Sequence, residues 1–151
     1  MDLTYFEDFE TGTSERLGTY DVSREEIVEF AERYDPQPFH VDEAAAEASP
    51  FGGLVASGWH TASMTMRVLV DEHFSEAASH GALGVDELQW REPVRPGDVL
   101  AVSTTIEGME PWDDERGLVH ARTVTERDRD GATVMSMLSH VLYERREKES
   151  E

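Results

Sequence analysis

The sequence predicts an α+β domain in which an antiparallel sheet packs against one long buried helix. After a first strand, the N-terminal half of the chain is helical in pattern, and the C-terminal half contains four β-type segments. Between the two halves, residues 59–74 carry apolar side chains on more than one side of a helix. A helix of this kind is typically buried, so a sheet must cover it.

Local signals place the elements of the first half. Ser23 and Glu26 have the spacing of a capping box at the start of a helix. Pro36 and Pro38 bias the residues before them away from helical geometry, so this helix ends near Tyr34. The predicted elements are a strand at residues 15–20, a helix at residues 23–34 and a short helix at residues 42–48 capped by Asp42.

The second half is predicted to be strands joined by turns. The strands are expected at residues 83–91, 99–107, 118–126 and 133–143, with turns at residues 96–98, 111–116 and 128–131. The last strand is apolar on both faces, which indicates an interior position in the sheet. The charged segment from Glu144 is expected to fray. Five strands around one helix make the hot-dog arrangement, with residues 1–151 as a single domain.

Composition excludes several classes of function. The 151 residues have a net charge of -20 and no cysteine, which argues against nucleic-acid or anionic-membrane partners and against thiolate chemistry. The acidic N-terminus lacks the features of a signal peptide, and no apolar run reaches the roughly 20 residues that span a bilayer. We expect a cytoplasmic protein. Only one of the 13 basic residues is lysine, which favours a high-salt cytoplasm over an ordinary acidic protein.

One stretch, residues 34–60, holds the candidate chemistry. Asp35 and His40 lie five positions apart in a proline-stiffened segment, and Gly58 stands at the start of the long helix. A carboxylate, an imidazole and a helix N-terminus can move a proton beside a polarised carbonyl. The residues alone leave an alternative open, in which Asp35 caps a turn and His40 is a satisfied, partly buried histidine.

The motif DPQPFH at residues 35–40, with Gly58 eighteen residues after His40, resembles the hydratase motif of MaoC-like dehydratases, the (R)-specific enoyl-CoA hydratases. The segment PVRPGD at residues 93–98 also resembles a turn of that family. Gln37 stands where the family usually has Asn, and Phe39 replaces a smaller aliphatic residue. Met66 lies where some members place a serine.

The resemblance implies a hydro-lyase of fatty acid metabolism that hydrates 2-enoyl-CoA reversibly to (R)-3-hydroxyacyl-CoA. Asp35 and His40 would hold the water and shuttle protons, and the Gly58 N–H would stabilise the thioester oxygen. It also implies a homodimer with a continuous sheet, a higher oligomer remaining open. No metal is expected, and no cofactor beyond the CoA or carrier arm of the substrate.

Further residues are expected to contact an acyl-CoA thioester substrate. Those near the motif are Gln37, Phe39, Ser57, Trp59 and Ser63. Arg91 and Arg95 flank the PVRPGD turn and could bind the phosphates of CoA, because a guanidinium suits phosphate geometry. Either arginine could equally be a surface residue paired with a carboxylate.

Two other functions stay open. A hot-dog thioesterase would use the same helix terminus and release free CoA. Such enzymes usually carry a lone carboxylate on the central helix, and Glu72 lies too far along that helix to serve. A protein that binds acyl-CoA without turnover is the other alternative, and the departures at Gln37 and Met66 are its support.

Overall fold

The computed structural model describes residues 3–147, whose elements follow the predicted order. The strands are β1 (Ser14–Asp21), β2 (Ser79–Trp90), β3 (Val99–Pro111), β4 (Arg116–Arg127) and β5 (Thr133–Glu144). The helices are α1 (Arg24–Tyr34), α2 (Pro38–Val41), α3 (Glu43–Ala48) and α4 (Gly58–Glu72), with 3-10 turns at Phe6–Asp8 and Phe74–Glu76. The five strands form one antiparallel sheet in the order β1-β3-β4-β5-β2.

The predicted helix caps are confirmed. The Ser23 hydroxyl accepts the Glu26 N–H at 3.1 Å, and the Asp42 carboxylate accepts two N–H groups of α3. The one-turn helix α2 was not predicted. Pro38 stands at its first position, where a missing N–H costs nothing and the fixed φ angle suits a helix. This turn carries His40 into the interior.

Helix α4 packs into the hollow of the sheet, as predicted, but it is not buried on all sides. Met64, Val68 and Leu69 are at most 5% exposed and pack in one core with residues of β3 and β5. Met66 and Val70, on another side of the helix, are 46% and 41% exposed. The predicted central, buried helix is confirmed, and the side that carries Met66 and Val70 is its more exposed side.

The ends of the sheet differ from the prediction in two places. Strand β2 begins at Ser79 rather than near residue 83, and it forms one edge of the sheet. Strand β5 lies between β4 and β2, which confirms its interior position. The predicted fraying is wrong for residues 144–147, because Arg146 pairs with Asp8 at 2.8 Å and the Glu147 N–H bonds Glu7. Residues 148–151 lie outside the described part of the chain.

No helix within residues 3–147 combines the length and the apolar character that crossing a membrane requires.

Candidate active site

Two short helical segments bring Asp35 and His40 together. Asp35 ends α1, where its N–H still bonds the Ala31 carbonyl at 2.8 Å. His40 lies in α2 and is 5% exposed. Its Nε2 is 3.4 Å from Oδ2 of Asp35. The structure therefore juxtaposes the acid and the base that the sequence singled out.

A backbone carbonyl determines which nitrogen of His40 faces the carboxylate. Nδ1 lies 2.6 Å from the Val55 carbonyl oxygen. Because a carbonyl only accepts, Nδ1 must carry a hydrogen and donate it. In the neutral ring this leaves the lone pair on Nε2, the nitrogen that faces Asp35.

Asp35 is held in its ionised form by two side chains. Ser57 donates to Oδ2 and Gln37 donates to Oδ1, each at 2.7 Å. Burial alone would raise the pKa of the Asp35 carboxyl. The hydrogen bonds from Ser57 and Gln37 outweigh this effect, so the pKa lies below its ordinary value, and a protonated His40 ring would lower it further. A carboxylate and an imidazole lone pair consequently face the same point.

The start of α4 adjoins this pair through Ser57. Ser57 is fully buried and caps α4 by accepting the Trp59 N–H at 3.2 Å. Gly58 is the first residue of the helix, so its N–H belongs to the first-turn donors that have no partner within a helix. The helix dipole adds partial positive charge there. One serine thus ties the carboxylate to an end of α4 suited to bind an oxyanion.

Trp90 explains why residue 58 is glycine. A Cβ on Gly58 would lie 2.5 Å from Cε2 and 2.9 Å from Nε1 of Trp90, far inside van der Waals contact. The Trp90 indole also meets Trp59 edge-on, with ring centroids 5.0 Å apart. Close packing therefore requires glycine at this position, beside any role of its N–H.

A cavity of about 740 Å³ lies along α4. Its apolar lining comes from α4 and from four strands of the sheet, β2 to β5, and includes Trp59, Met66, Leu69, Val85, Leu88 and Met137. The cavity begins at Trp59, next in sequence to Gly58, and reaches His73 beyond the end of α4. There, Nε2 of His73 lies 2.7 Å from the Tyr143 hydroxyl. The space follows the helix away from the Asp35–His40 pair.

The remaining predicted contact residues divide into two groups. Phe39 lies beside the pair, with its ring edge-on to His40 at 4.5 Å, and Trp59 lines the cavity. Ser63 instead donates to the Trp59 carbonyl of its own helix. Arg95 donates to the Phe51 carbonyl at 2.6 Å, and Arg91 is exposed next to Trp90. The structure brings neither arginine against the Asp35–His40 pair.

Sequence reasoning missed three features of this site. It named Ser57 only as a substrate contact, although a serine directly before a predicted helix start is a strong N-cap signal. The Val55 carbonyl and the Trp90 indole reach the site through long-range contacts that leave no local pattern.

His60, one residue past Trp59, is a core residue stacked on Phe30 at 4.8 Å, and burial lowers its pKa.

Residues 3–147 contain no group of three or more histidine, cysteine, aspartate or glutamate side chains placed to hold a metal ion.

The fold and the site define a hot-dog domain with a carboxylate–imidazole pair at the N-terminus of its central helix. Residues 8–128 match the MaoC like domain family, and the chain belongs to it. A solved MaoC-like dehydratase from Rhodospirillum rubrum is 41% identical, with a TM-score of 0.86 over 94% of this chain and 97% of that one.

Two relatives with named activities are also similar. The (R)-specific enoyl-CoA hydratase of Rhodospirillum rubrum is 32% identical over 80% of each chain. The 3-hydroxybutyryl-CoA dehydratase of Methylorubrum extorquens is 35% identical over 72% of this chain and 68% of its own. The predicted family and fold are thereby confirmed.

Proposed function

We propose that this protein reversibly hydrates 2-enoyl-CoA to (R)-3-hydroxyacyl-CoA. The observation that carries the proposal is that Nε2 of His40 and Oδ2 of Asp35 face each other 3.4 Å apart, beside the helix start at Gly58. Hydration of an enoyl thioester needs an activated water, a proton for C2 and a donor for the thioester oxygen. Membership of a family that contains hydratases and dehydratases supports the same reaction.

The pair is built to hold a water. The ionised Asp35 oxygen and the Nε2 lone pair of neutral His40 are both acceptors, so at 3.4 Å they do not bond each other directly. A water lying to one side of both atoms donates one hydrogen to each and turns its own lone pairs outward. As its oxygen bonds C3, one proton passes to the pair, and the pair delivers one proton to C2. The proton count of the pair is then restored.

The thioester oxygen is proposed to bind the N–H of Gly58. Negative charge develops on this oxygen when water adds to C3, and a helix N-terminus favours such charge. Ser57 links the two halves of the site, because its one hydroxyl both caps α4 and bonds Asp35. The distance between the proton-transfer groups and the oxyanion donor is thereby maintained by a rigid element.

We place the acyl chain in the cavity along α4, because its apolar lining starts at Trp59, beside Gly58. Arg91 and Arg95 remain candidates for the CoA phosphates, and neither contacts the Asp35–His40 pair. Coenzyme A would enter only as part of the substrate.

A homodimer is part of the proposal. Edge strand β2 carries Leu83, Val85 and Trp90, which are between 43% and 51% exposed, and α4 adds exposed Met66 and Val70. An open strand edge beside apolar side chains favours pairing with the same strand of a second copy.

The experiment is to supply crotonyl-CoA and follow the loss of enoyl absorbance, with chiral analysis of the product. We expect (R)-3-hydroxybutyryl-CoA from the wild type and a loss of about 10²- to 10⁴-fold in Asp35→Asn. A thiol reagent run in parallel detects free CoA, which would instead indicate thioester hydrolysis. Binding of enoyl-CoAs of every chain length without turnover would overturn the proposal in favour of an acyl-CoA binding protein.

A further inference from the structure

Two histidines face each other on the outer side of the sheet, away from α4. His120 of β4 and His140 of β5 are register partners. Their chain neighbours Ala121 and Ser139 line the cavity beside α4. Because side chains alternate across a strand, both imidazoles lie on the opposite face, remote from the Asp35–His40 pair.

Three short contacts join these rings to two carboxylates. Nδ1 of His120 lies 2.7 Å from Nδ1 of His140. Nε2 of His120 lies 2.9 Å from Glu110 of β3, and Nε2 of His140 lies 2.7 Å from Asp86 of β2. The chain Glu110–His120–His140–Asp86, here called the histidine row, therefore crosses four strands and ends on edge strand β2.

The contacts determine how many protons the row holds. An ionised carboxylate only accepts, so each Nε2 must carry a hydrogen. One further hydrogen must lie between the two Nδ1 atoms, since two bare lone pairs would repel at 2.7 Å. Three hydrogens on four ring nitrogens give the two imidazoles one positive charge in total.

The sheet leaves room for this arrangement. The register partner of His120 on β3 is Gly108, and that of His140 on β2 is Gly84. A Cβ on Gly108 would already lie 3.3 Å from the His120 ring, and a Cβ on Gly84 would meet nothing within 4 Å. The missing side chain at Gly108 thus gives the His120 ring room, whereas the space beside His140 does not depend on glycine at position 84.

Other charged groups face the row from its neighbouring strands. Arg122 of β4 binds Glu107 of β3 at 2.9 Å and Glu87 of β2 at 3.0 Å. With Asp86 and Glu110, four carboxylates face one guanidinium and the imidazole pair. The single positive charge of the row is therefore surrounded by negative charges. The Arg122 ion pairs beside it also join β3, β4 and β2.

We propose that the histidine row is a proton-dependent clasp that joins β3, β4, β5 and edge strand β2, closed only while His120 and His140 share one positive charge. A second proton would set two N–H groups and two charges against each other at the Nδ1 contact. Loss of the shared proton would leave two neutral rings. One of them would then carry its hydrogen on Nδ1 instead of Nε2 and would release Glu110 or Asp86. Either change opens one of the three links, so the whole row joins the four strands only at an intermediate pH.

The test is amide hydrogen exchange of the full-length protein, expressed as protection factors of the amides beside the row in β2, β3, β4 and β5 between pH 5 and 9. We expect protection in the wild type to pass through a maximum and fall by about two- to fivefold on each side, the effect of losing one exposed charged contact. His120→Gln and His140→Gln should each lower the maximum and flatten the profile. His80→Gln, at an exposed histidine of β2 outside the row, is the control and should keep the wild-type profile.

Nitrogen-15 spectra of the wild-type histidine side chains give a second readout that needs no variant. At the pH of maximal protection, the two rings together should carry three N–H hydrogens. Two neutral rings with one hydrogen each at that pH would overturn the proposal. So would a protection profile of the amides beside the row that is flat in the wild type or unchanged in both glutamine variants.

Discussion

The molecule carries two clusters that join imidazole to carboxylate, and they differ in how their ring nitrogens are occupied. His40 is anchored through Nδ1 by the Val55 carbonyl, so its Nε2 keeps a lone pair toward Asp35 at a distance too long for a direct strong bond. In the histidine row, both nitrogens of His120 and of His140 lie within 2.9 Å of a partner. The anchoring partner, more than the residue type, determines whether a nitrogen is available for chemistry.

The two clusters also differ in how deeply they are buried. His40 is 5% exposed, and hydrogen bonds from Ser57 and Gln37 orient its carboxylate partner. The carboxylates of the histidine row, Glu110 and Asp86, are 57% and 71% exposed at their side chains. An exposed cluster is screened by water and salt, so it can join strands without strongly polarising a ligand. The buried pair has the environment that proton transfer needs.

The largest expected effect sets the two clusters directly against each other. His40→Ala removes the nitrogen with the available lone pair and should lower kcat/KM for an enoyl-CoA by about 10²- to 10⁴-fold. His140→Ala should leave kcat/KM within about twofold, because the outer face contributes no group to the site. Comparable losses in both variants would show that the distinction drawn from the ring nitrogens is wrong.

Gly58 gives the second test, because it lies at the buried site and packs against Trp90 of edge strand β2. Gly58→Ala would place a methyl group 2.5 Å from Trp90, and we expect a loss of about 1–3 kcal/mol in the free energy of unfolding from overpacking. Turnover should fall as well, since Trp90 or the helix start must shift. Urea unfolding and steady-state rates measure the two effects.

Gly84→Ala is the matched control, because a Cβ there meets nothing within 4 Å. It should change the free energy of unfolding by no more than about 0.5 kcal/mol. Gly58→Ala should lower the free energy of unfolding less when Trp90 is also replaced by alanine, because the clash at residue 58 is then absent. An equal cost for both glycine substitutions would remove the steric explanation.

The pKa of Asp35 provides a third test. Ser57→Ala and Gln37→Ala each remove a hydrogen bond that lowers this pKa, so both should move the acidic limb of the kcat/KM profile to higher pH. A carboxylate with a lowered folded-state pKa stabilises the fold above its unfolded pKa, and this contribution is lost as pH falls through the folded value. Acid unfolding of both variants should therefore depend less on pH over this range.

The two variants differ in one respect that separates pKa from structure. Ser57→Ala also removes the cap of α4, which costs about 1 kcal/mol, whereas Gln37→Ala leaves that helix intact. Thermal unfolding should distinguish them at neutral pH. An unchanged acidic limb in Gln37→Ala would show that its hydrogen bond does not tune the carboxylate.

The sequence alone predicts the two clusters to different extents. The caps at Ser23 and Asp42 are local patterns, so the helices were predictable, and the spacing of Asp35, His40 and Gly58 carried the candidate site. The Val55 carbonyl that orients His40 comes from a distant loop, and no local pattern encodes it. Alternation puts His120 and His140 on fixed faces of their strands, but only the register of β4 with β5 brings them together.

The smallest effect concerns the acidic surface that surrounds the exposed cluster. The 33 acidic residues outnumber the 13 basic ones, so repulsion among the acidic residues should exceed the stabilisation from exposed ion pairs. Raising KCl from 0.1 to 1 M shortens the Debye length from about 10 to 3 Å and should raise the Tm by a few degrees. This is the behaviour expected of a protein from a high-salt cytoplasm. A Tm that falls with KCl would show instead that exposed pairs such as Arg122–Glu107 and Arg146–Asp8 contribute more than the net charge removes.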